Sequence, residues 1–291
     1  MDDHTTIELR RLDAAGVAAA VDWAAREGWD PGLRDAEAFF AADPEGFLGA
    51  FVDGALEGTV SAVRYGDGSG FIGLLIVRPD HRNGLLGGRL AHAALDRLGG
   101  RTVGIDGVPE HQHQYARLGF VTAWRNVRYR GTVRAAAGYG PGDGRAVVPA
   151  ASLPFAALAA YDAGHFGAHR DAFLREWLRL PGHTALACVS APVPGRDTEV
   201  RGLGVIRACR EGAKVGPLFA DDEEVAEALF RRLVEEHDDV ILDTPEANPA
   251  AIALAERHGM TPVFETARMY RGGDPRLPAG RIFGVTSFEL G

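Results

Sequence analysis

The sequence is poor in cysteine and, apart from Lys214, has no lysine. Its two cysteines, Cys188 and Cys209, stand far apart without the C-x-x-C spacing of a zinc knuckle or a dithiol redox pair, so both kinds of site are excluded. We expect both to be free, buried thiols in a reducing compartment. Arginine therefore carries almost all of the basic charge. We interpret this preference as a bias of genome composition rather than as a sign of a functional site.

Long hydrophobic runs are also absent. No stretch approaches the ~18 consecutive apolar residues of a membrane span, and no apolar signal-peptide core follows the polar first residues. The net charge of −9 disfavours nucleic acid, whose phosphates select basic surfaces. Hydrophobic residues make up 46% of the chain, which is typical of a globular protein. We therefore expect a cytoplasmic protein that has neither a membrane nor a nucleic-acid partner.

The pattern of predicted strands and helices occurs twice. Residues 102–106 correspond to residues 240–243, where each stretch is a predicted strand. Residues 115–120 correspond to residues 255–260, where each stretch ends a predicted helix at a glycine. The chain therefore contains two copies of one mixed α/β unit rather than a short-period repeat.

Glycine and proline crowd residues 138–144, which predicts an irregular connection between the two copies. We place the boundaries on either side of it: a first domain at residues 1–131, a linker at 132–149 and a second domain at 150–291.

The strongest site signal is an apolar strand that ends at Val77 and runs through a glycine-rich turn into a helix. Such a turn points several backbone N–H groups and the positive helix end at one place, which is what a pyrophosphate needs. Arg82 adds a donor for phosphate. Taken alone, the pattern fits an ordinary tight connection equally well.

A second segment lies one strand further on, at residues 115–120, with the sequence YARLGF. Together the two segments resemble the signatures of Gcn5-related N-acetyltransferases (GNAT), a V-x-P-x-x-R-x-x-G-x-G/A loop followed by a Y-x-x-L-G-F helix end. The resemblance covers roughly residues 5–131. It departs from the pattern at Leu85, where the first loop glycine is expected, and a leucine there would crowd the pyrophosphate.

The resemblance implies an α/β (α+β) fold in which each domain has a mixed, mostly antiparallel twisted sheet flanked by helices. It also implies acetyl-CoA as the acyl donor, held in a V-shaped gap between the strands that end at Val77 and Asp106. No metal is expected, because His111 and His113 lack a third ligand. The residues expected to bind the donor are Leu75, Ile76, Val77, Arg82, Asn83, Gly84, Leu85, Leu86, Gly87 and Gly88.

Tyr115 is the expected general acid that protonates the departing thiolate, because a phenol is a neutral donor at pH 7. The alternative is a core tyrosine that packs its helix. Asp106 ranks first among the candidates for a general base, although the sequence itself favours a turn-forming aspartate before Gly107. Water or solvent is a further alternative for the base.

Four residues are candidates for the acceptor pocket: Trp29, Asp30, Trp124 and Asn126. Trp29 and Asp30 lie in the helix–helix loop that often covers the acceptor in this family. Packing at the interface between the domains is the alternative interpretation of these residues.

The second copy has lost both features of the site. Ala255 stands at the position of Tyr115 and cannot donate a proton. Residues 221–224 are four adjacent carboxylates at the position of the phosphate turn, which favour a helix start but repel pyrophosphate. This arrangement resembles a bacterial subgroup of tandem GNAT proteins with a diverged second domain. The segments at residues 214–221 and 283–288 also look like the second domain of that subgroup.

The resemblance therefore implies an N-acetyltransferase that moves an acetyl group from acetyl-CoA to a primary amine by direct attack. A covering second domain favours a small-molecule amine as the partner. Two other functions stay open: an acyl-CoA-binding sensor without turnover, and an enzyme that acetylates protein or peptide amines. The chain is expected to be a monomer or a homodimer.

Overall fold

A computed structural model describes residues 6–134, 140–191 and 198–291. Part of the predicted linker, residues 135–139, lies outside the described residues. The helices are α1 (Ala14–Arg26), α2 (Asp35–Ala42), α3 (Leu86–Arg97), α4 (Gln112–Arg117), α5 (Phe155–Phe166), α6 (Asp171–Trp177), α7 (Glu223–Val234) and α8 (Pro249–Arg257). The strands are β1 (Ile7–Arg11), β2 (Phe47–Val52), β3 (Ala55–Tyr65), β4 (Ser69–Val77), β5 (Thr102–Gly107), β6 (Val121–Thr132), β7 (Ala146–Pro149), β8 (His183–Val189), β9 (Val200–Ala208), β10 (Ala213–Ala220), β11 (Asp239–Pro245), β12 (Thr261–Arg271) and β13 (Ile282–Gly284).

The described strands form one sheet. Its order is β1-β2-β3-β4-β5-β12-β6-β11-β10-β9-β8-β7, with β13 alongside β10. β4 pairs with β5, and β10 with β11, in parallel, whereas the other pairings are antiparallel. The mixed, mostly antiparallel sheet confirms the predicted fold class.

The last long strand of each half crosses into the other half. β6 lies between β12 and β11, and β12 lies between β5 and β6. A division of the chain at the predicted linker therefore leaves each half's sheet completed by a strand of the other. Alternation of apolar residues predicts both strands, but it carries no information about which neighbour each strand will pair with.

Helices cover both faces of the sheet. The predicted inward side of α1, with Val17, Ala20, Val21 and Ala24, is buried, and the Asp13 side chain caps the helix by accepting from the Gly16 N–H. α1 and α2 share one hydrophobic cluster with α5 and α6 of the second half. α3 packs in a cluster of the first half on the other face, and α7 and α8 pack in a cluster of the second half. No helix in the described ranges combines the length and apolar character needed to span a membrane.

Three buried ion pairs join the halves beneath these helices. Two of them join neighbouring strands: Arg128 of β6 pairs with Asp243 of β11, and Arg268 of β12 pairs with Asp106 of β5. In the third, Arg207 of β9 pairs with Asp35 of α2. In each pair the side chains of both partners are at most 5% exposed. Because an unpaired charge is costly to bury, each partner requires the other to stay in place.

Asp243→Ala should destabilise the protein by about 3–5 kcal/mol, because it leaves the buried Arg128 guanidinium without its carboxylate partner. Arg128 donates to both carboxylate oxygens, from Nε at 2.7 Å and from Nη2 at 2.8 Å. The matched control is Glu246→Ala, which removes an exposed partner of Arg125 near the same strands and should cost at most about 1 kcal/mol. Urea unfolding measures both free energies. Equal losses in the two variants would contradict the role given to the buried pair.

Candidate active site

β4 and β5 separate part-way along their length. Their parallel pairing runs from Ser69 opposite Thr102 to Ile72 opposite Ile105 and ends there. Directly beyond, Leu74 adopts a φ of 48° and the register between β3 and β4 shifts. A bulge of this kind bends a strand away from its neighbour. A gap therefore opens between the strands at residue 73.

The backbone of residues 73–77 borders this gap. On its other side it is paired to β3, as in Thr59 opposite Ile76. Among the described residues, no strand pairs with this stretch of β4 on the side of β5. Leu75, Ile76 and Val77 therefore present a free strand edge to which an extended ligand can add its own hydrogen-bonding groups.

The turn between β4 and α3 leaves the start of that helix uncapped. Leu85 occupies the N-cap position and makes no side-chain hydrogen bond to the helix. A Cβ added to Gly87 would have Val77 Cγ2 at 3.7 Å as its nearest neighbour, and one added to Gly88 would meet nothing within 4 Å. Free N–H groups, open space and the positive helix end fit a pyrophosphate.

Leu85 does not fill the turn. Its side chain is 77% exposed, and its φ of −81° is one that any residue adopts. The left-handed conformation in the turn is taken by Asn83, whose φ is 63°. Arg82 braces the turn, since its Nε donates to the Val77 carbonyl at 2.9 Å and its guanidinium pairs with Glu27 beyond α1.

Tyr115 of α4 lies against the end of β5. A Cβ on Gly107 would come within 2.5 Å of Tyr115 Cε2, so a glycine at this position is what lets the ring approach the strand. Burial raises the pKa of Tyr115 above its ordinary value, which keeps the phenol protonated. Within the described part of the chain the hydroxyl makes no hydrogen bond and is free to donate one.

The carboxylate of Asp106 is buried and hydrogen-bonded, unlike that of a free general base. Its side chain is fully buried within β5. It accepts from Arg268 Nε at 2.8 Å and Nη2 at 2.6 Å, and from Asn126 Nδ2 at 2.7 Å. Burial raises the pKa of Asp106, and the charge and hydrogen bonds of Arg268 oppose that rise. With three donors on two oxygens, Asp106 is placed to anchor Arg268 and Asn126 rather than to accept a proton.

The acceptor candidates lie in two groups. On β6, Trp124 Nε1 donates to Asn126 Oδ1 at 3.0 Å. In the loop after α1, the Trp29 carbonyl accepts from Arg128 Nη1 at 2.6 Å, and the Asp30 carbonyl accepts from the Lys214 ammonium group. Arg128 follows Asn126 by two residues on β6 and so projects from the same side of the sheet. The two groups therefore share this side, and Lys214 of the second half holds the loop.

One segment near the gap carries no sequence motif that predicts a site role. Beyond β13, residues 285–291 cross from the second half to β4. The Tyr65 hydroxyl donates to the Leu290 carbonyl at 2.9 Å. The Glu289 carbonyl lies so close to Gly73 that a Cβ there would be 1.9 Å away. The chain thus brings Glu289 to the point where the gap opens.

Comparisons with known proteins agree with this geometry. The profile of the acetyltransferase (GNAT) family matches residues 17–120, and that of an acetyltransferase (GNAT) domain matches residues 158–284. The chain is 31% identical over 294 residues to holothin acyltransferase of Pseudoalteromonas sp. (strain SANK 73390), with 100% of this chain and 97% of that protein covered. The chain belongs to the GNAT family. It is an acyltransferase with two GNAT domains in tandem.

Solved structures of low sequence identity share the fold. A presumptive acetyltransferase from Pyrococcus horikoshii superposes with a TM-score of 0.80 at 21% identity, covering 98% of this chain and 96% of that one. A tandem GNAT protein from the clavulanic acid biosynthesis pathway superposes with a TM-score of 0.60 at 15% identity, covering 92% of this chain and 100% of that one.

The second GNAT domain has its gap filled by its own chain. β10 and β11 pair in parallel as far as Val215 opposite Leu242. Beyond that point β13 pairs with β10, with Leu218 opposite Gly284. Directly after β13, the Val285 N–H donates to the Asp243 carbonyl of β11 at 2.9 Å. A protein strand therefore takes the place that an extended ligand would need.

The helix start beside this second gap is closed as well. Asp222 caps α7 by accepting from the Val225 N–H at 2.9 Å. Arg145 donates to Asp222 at 2.7 Å and to Glu224 at 2.5 Å, and so lies across the turn. Ala255, at the position of Tyr115, is fully buried in α8. The predicted loss of the second site thus has a structural counterpart at each of its parts.

Gly87→Glu should weaken acetyl-CoA binding at least about a hundredfold, because a carboxylate would face the pyrophosphate at about 4 Å. The open space around Gly87 lets the variant fold. The control is Gly164→Glu, an equal change at an exposed position of α5 where a Cβ meets nothing within 4 Å. Calorimetric titration measures both affinities. Undiminished binding by Gly87→Glu would show that the turn does not hold the phosphates.

Proposed function

We propose that the protein transfers an acetyl group from acetyl-CoA to the primary amine of a small molecule, by direct attack and without a covalent enzyme intermediate. The observation that carries this proposal is the contrast between the two gaps. The first has a free strand edge, an uncapped glycine-rich helix start and a tyrosine at its mouth, whereas the second is filled. We further propose that the enzyme acts in the cytoplasm as a monomer or a homodimer, with its working domain at residues 1–131.

The residues of the first gap suit each part of the donor. The backbone of Leu75, Ile76 and Val77 would pair with the pantetheine arm, and a backbone N–H there would polarise the thioester carbonyl. The amides of residues 83–88 would hold the pyrophosphate, whereas the expected amide of Arg82 already donates to the Pro79 carbonyl at 3.2 Å. When bound, acetyl-CoA supplies the electrophilic thioester carbon.

Tyr115 would donate its proton to the departing thiolate as the carbon–sulfur bond breaks. Its free hydroxyl supports this role, and its raised pKa keeps the phenol protonated until the thiolate forms. The amine nitrogen forms the new bond to the acetyl carbon. Because that nitrogen must lose a proton, Tyr115 can be reprotonated from it through solvent.

The hold of the second domain on the loop after α1 supports a small acceptor. Lys214 of the second domain fixes the carbonyl of Asp30, and Arg128 of the first domain fixes that of Trp29. Leu33 N–H also donates to the Ala208 carbonyl at 2.9 Å, which ties the same loop to β9. A fixed loop narrows the approach for a folded protein acceptor. Holothin, named by the curated relative, is therefore the first acceptor to test, followed by simple primary amines.

Calorimetric titration should find one acetyl-CoA site per chain, because the second gap is filled by β13 and its helix start by Arg145. Two sites per chain would contradict the account of the second domain. No binding at millimolar acetyl-CoA would overturn the proposed function. Binding without transfer to any amine would favour the acyl-CoA-binding sensor.

Tyr115→Phe should slow acetyl transfer by about 10²–10³-fold, because the thiolate loses its proton donor. Acetyl-CoA affinity should stay close to that of the wild type, since the change removes only the hydroxyl. The control is Tyr129→Phe, the same change in a buried tyrosine of β6 that is a member of the second-half cluster. Steady-state kinetics at saturating acetyl-CoA measure the transfer rate of both variants. A normal rate for Tyr115→Phe would remove this tyrosine from the mechanism.

A further inference from the structure

The backbone of Glu289 packs against β4 at the start of the first gap because Gly73 has no side chain. Gly73 follows Ile72, the last residue of β4 that pairs with β5. A Cβ on Gly73 would lie 1.9 Å from the Glu289 carbonyl oxygen and 3.1 Å from its Cα. Glu289 itself is only 2% exposed. The second half of the chain thus brings the backbone of a buried acidic residue against β4, where the gap of the first half opens.

Glu289 differs from the other buried acidic residues that the structure describes. An arginine holds each of the following: Asp35, Asp106, Asp162, Asp243 and Glu227. No described residue forms an ion pair with Glu289, and its buried Oε1 has no hydrogen-bond partner. Because an unpaired buried carboxylate is costly, such a group needs an explanation, and proton transfer is one.

The charged groups around Glu289 are engaged elsewhere. Lys214 of β10 donates to backbone carbonyls of the loop after α1, Asp35 of α2 binds Arg207, and Arg128 of β6 binds Asp243. Burial raises the pKa of Glu289, assisted by Asp35, whereas Lys214 and Arg128 lower it. A carboxylate whose pKa is raised binds a proton more readily than a surface carboxylate does.

Neither of the two strands that border the first gap offers a free carboxylate. β4 contributes only glycine and aliphatic residues from Gly73 to Val77, and both oxygens of Asp106 are occupied by donors. We propose that Glu289 accepts the proton of the attacking ammonium group, so that a residue of the second domain completes the active site of the first. This inference rests on the proposed acetyl transfer.

The proton balance of the step is complete. Glu289 takes one proton from the ammonium group and frees the nitrogen lone pair. The nitrogen then forms the bond to the acetyl carbon, the carbon–sulfur bond breaks, and Tyr115 protonates the thiolate. The second proton lost by the nitrogen restores Tyr115, and Glu289 releases its proton to solvent after the product leaves.

The test is Glu289→Gln, which keeps the shape of the side chain and removes its basicity. At neutral pH the kcat for holothin, or for the amine of the panel that reacts fastest, should fall at least about a hundredfold. Acetyl-CoA affinity should stay within about twofold, because the general-base role concerns the acceptor. Glu236→Gln, at an exposed position after α7, is the matched control and should leave both values unchanged.

The pH dependence distinguishes proton transfer from a structural role. A base works only when ionised, so the wild-type rate should fall as the pH drops through the pKa of Glu289, and the variant should lack that fall. The deficit of the variant should shrink as the pH rises towards the pKa of the acceptor amine, because more free amine is then present. A deficit that is equal at all pH values would overturn the proposal.

The remaining outcomes also decide between the two proposals. If the wild type and Glu289→Gln transfer equally well, Glu289 is not the base and the proposed function stands. If the wild type neither binds acetyl-CoA nor acetylates an amine, the proposed function fails first. Should Glu289→Gln fail to fold, Glu289→Asp decides: a deficit that recovers with rising pH supports the base, and a pH-independent deficit overturns it.

Discussion

The exchange of β6 and β12 at the middle of the sheet is the constraint on which the rest of this structure depends. Each strand completes the sheet of the other half, and buried arginine–carboxylate pairs tie them to strands of that half. An arginine that is buried beside a single carboxylate tolerates little displacement. The two halves are therefore held in one relative position, and the loop after α1 and the segment that contains Glu289 are held with them.

Within this fixed arrangement the same fold has an open gap in the first half and a filled gap in the second. Both halves have parallel strands that separate after a few residue pairs, which produces the same gap twice. In the first half the gap keeps a free strand edge and an uncapped helix start. In the second, β13 takes the strand edge, and Arg145 with Asp222 takes the helix start. The second copy thus supports the first, since Lys214 holds the loop after α1 and the Glu289 backbone packs against Gly73.

The two acidic residues near the first gap show how environment separates roles that sequence cannot. Asp106 lies at the end of the expected strand, yet Arg268 and Asn126 occupy its oxygens. Glu289 lies outside every motif, yet its backbone meets Gly73 where the gap opens, and its buried Oε1 has no hydrogen-bond partner. Arg268 belongs to the second half as well, so the contributions of both acids to the site depend on the exchanged arrangement.

The sequence alone determined the fold class, the duplicated unit and the family, because strand alternation, glycine turns and the Y-x-x-L-G-F segment are local signals. It also predicted a phosphate turn, and the exposed side chain of Leu85 removes the crowding expected there. Only the tertiary structure decided which strands exchange, that Asp106 is held in an ion pair, and that Glu289 meets Gly73. These depend on contacts between residues far apart in the chain, which periodicity and spacing do not encode.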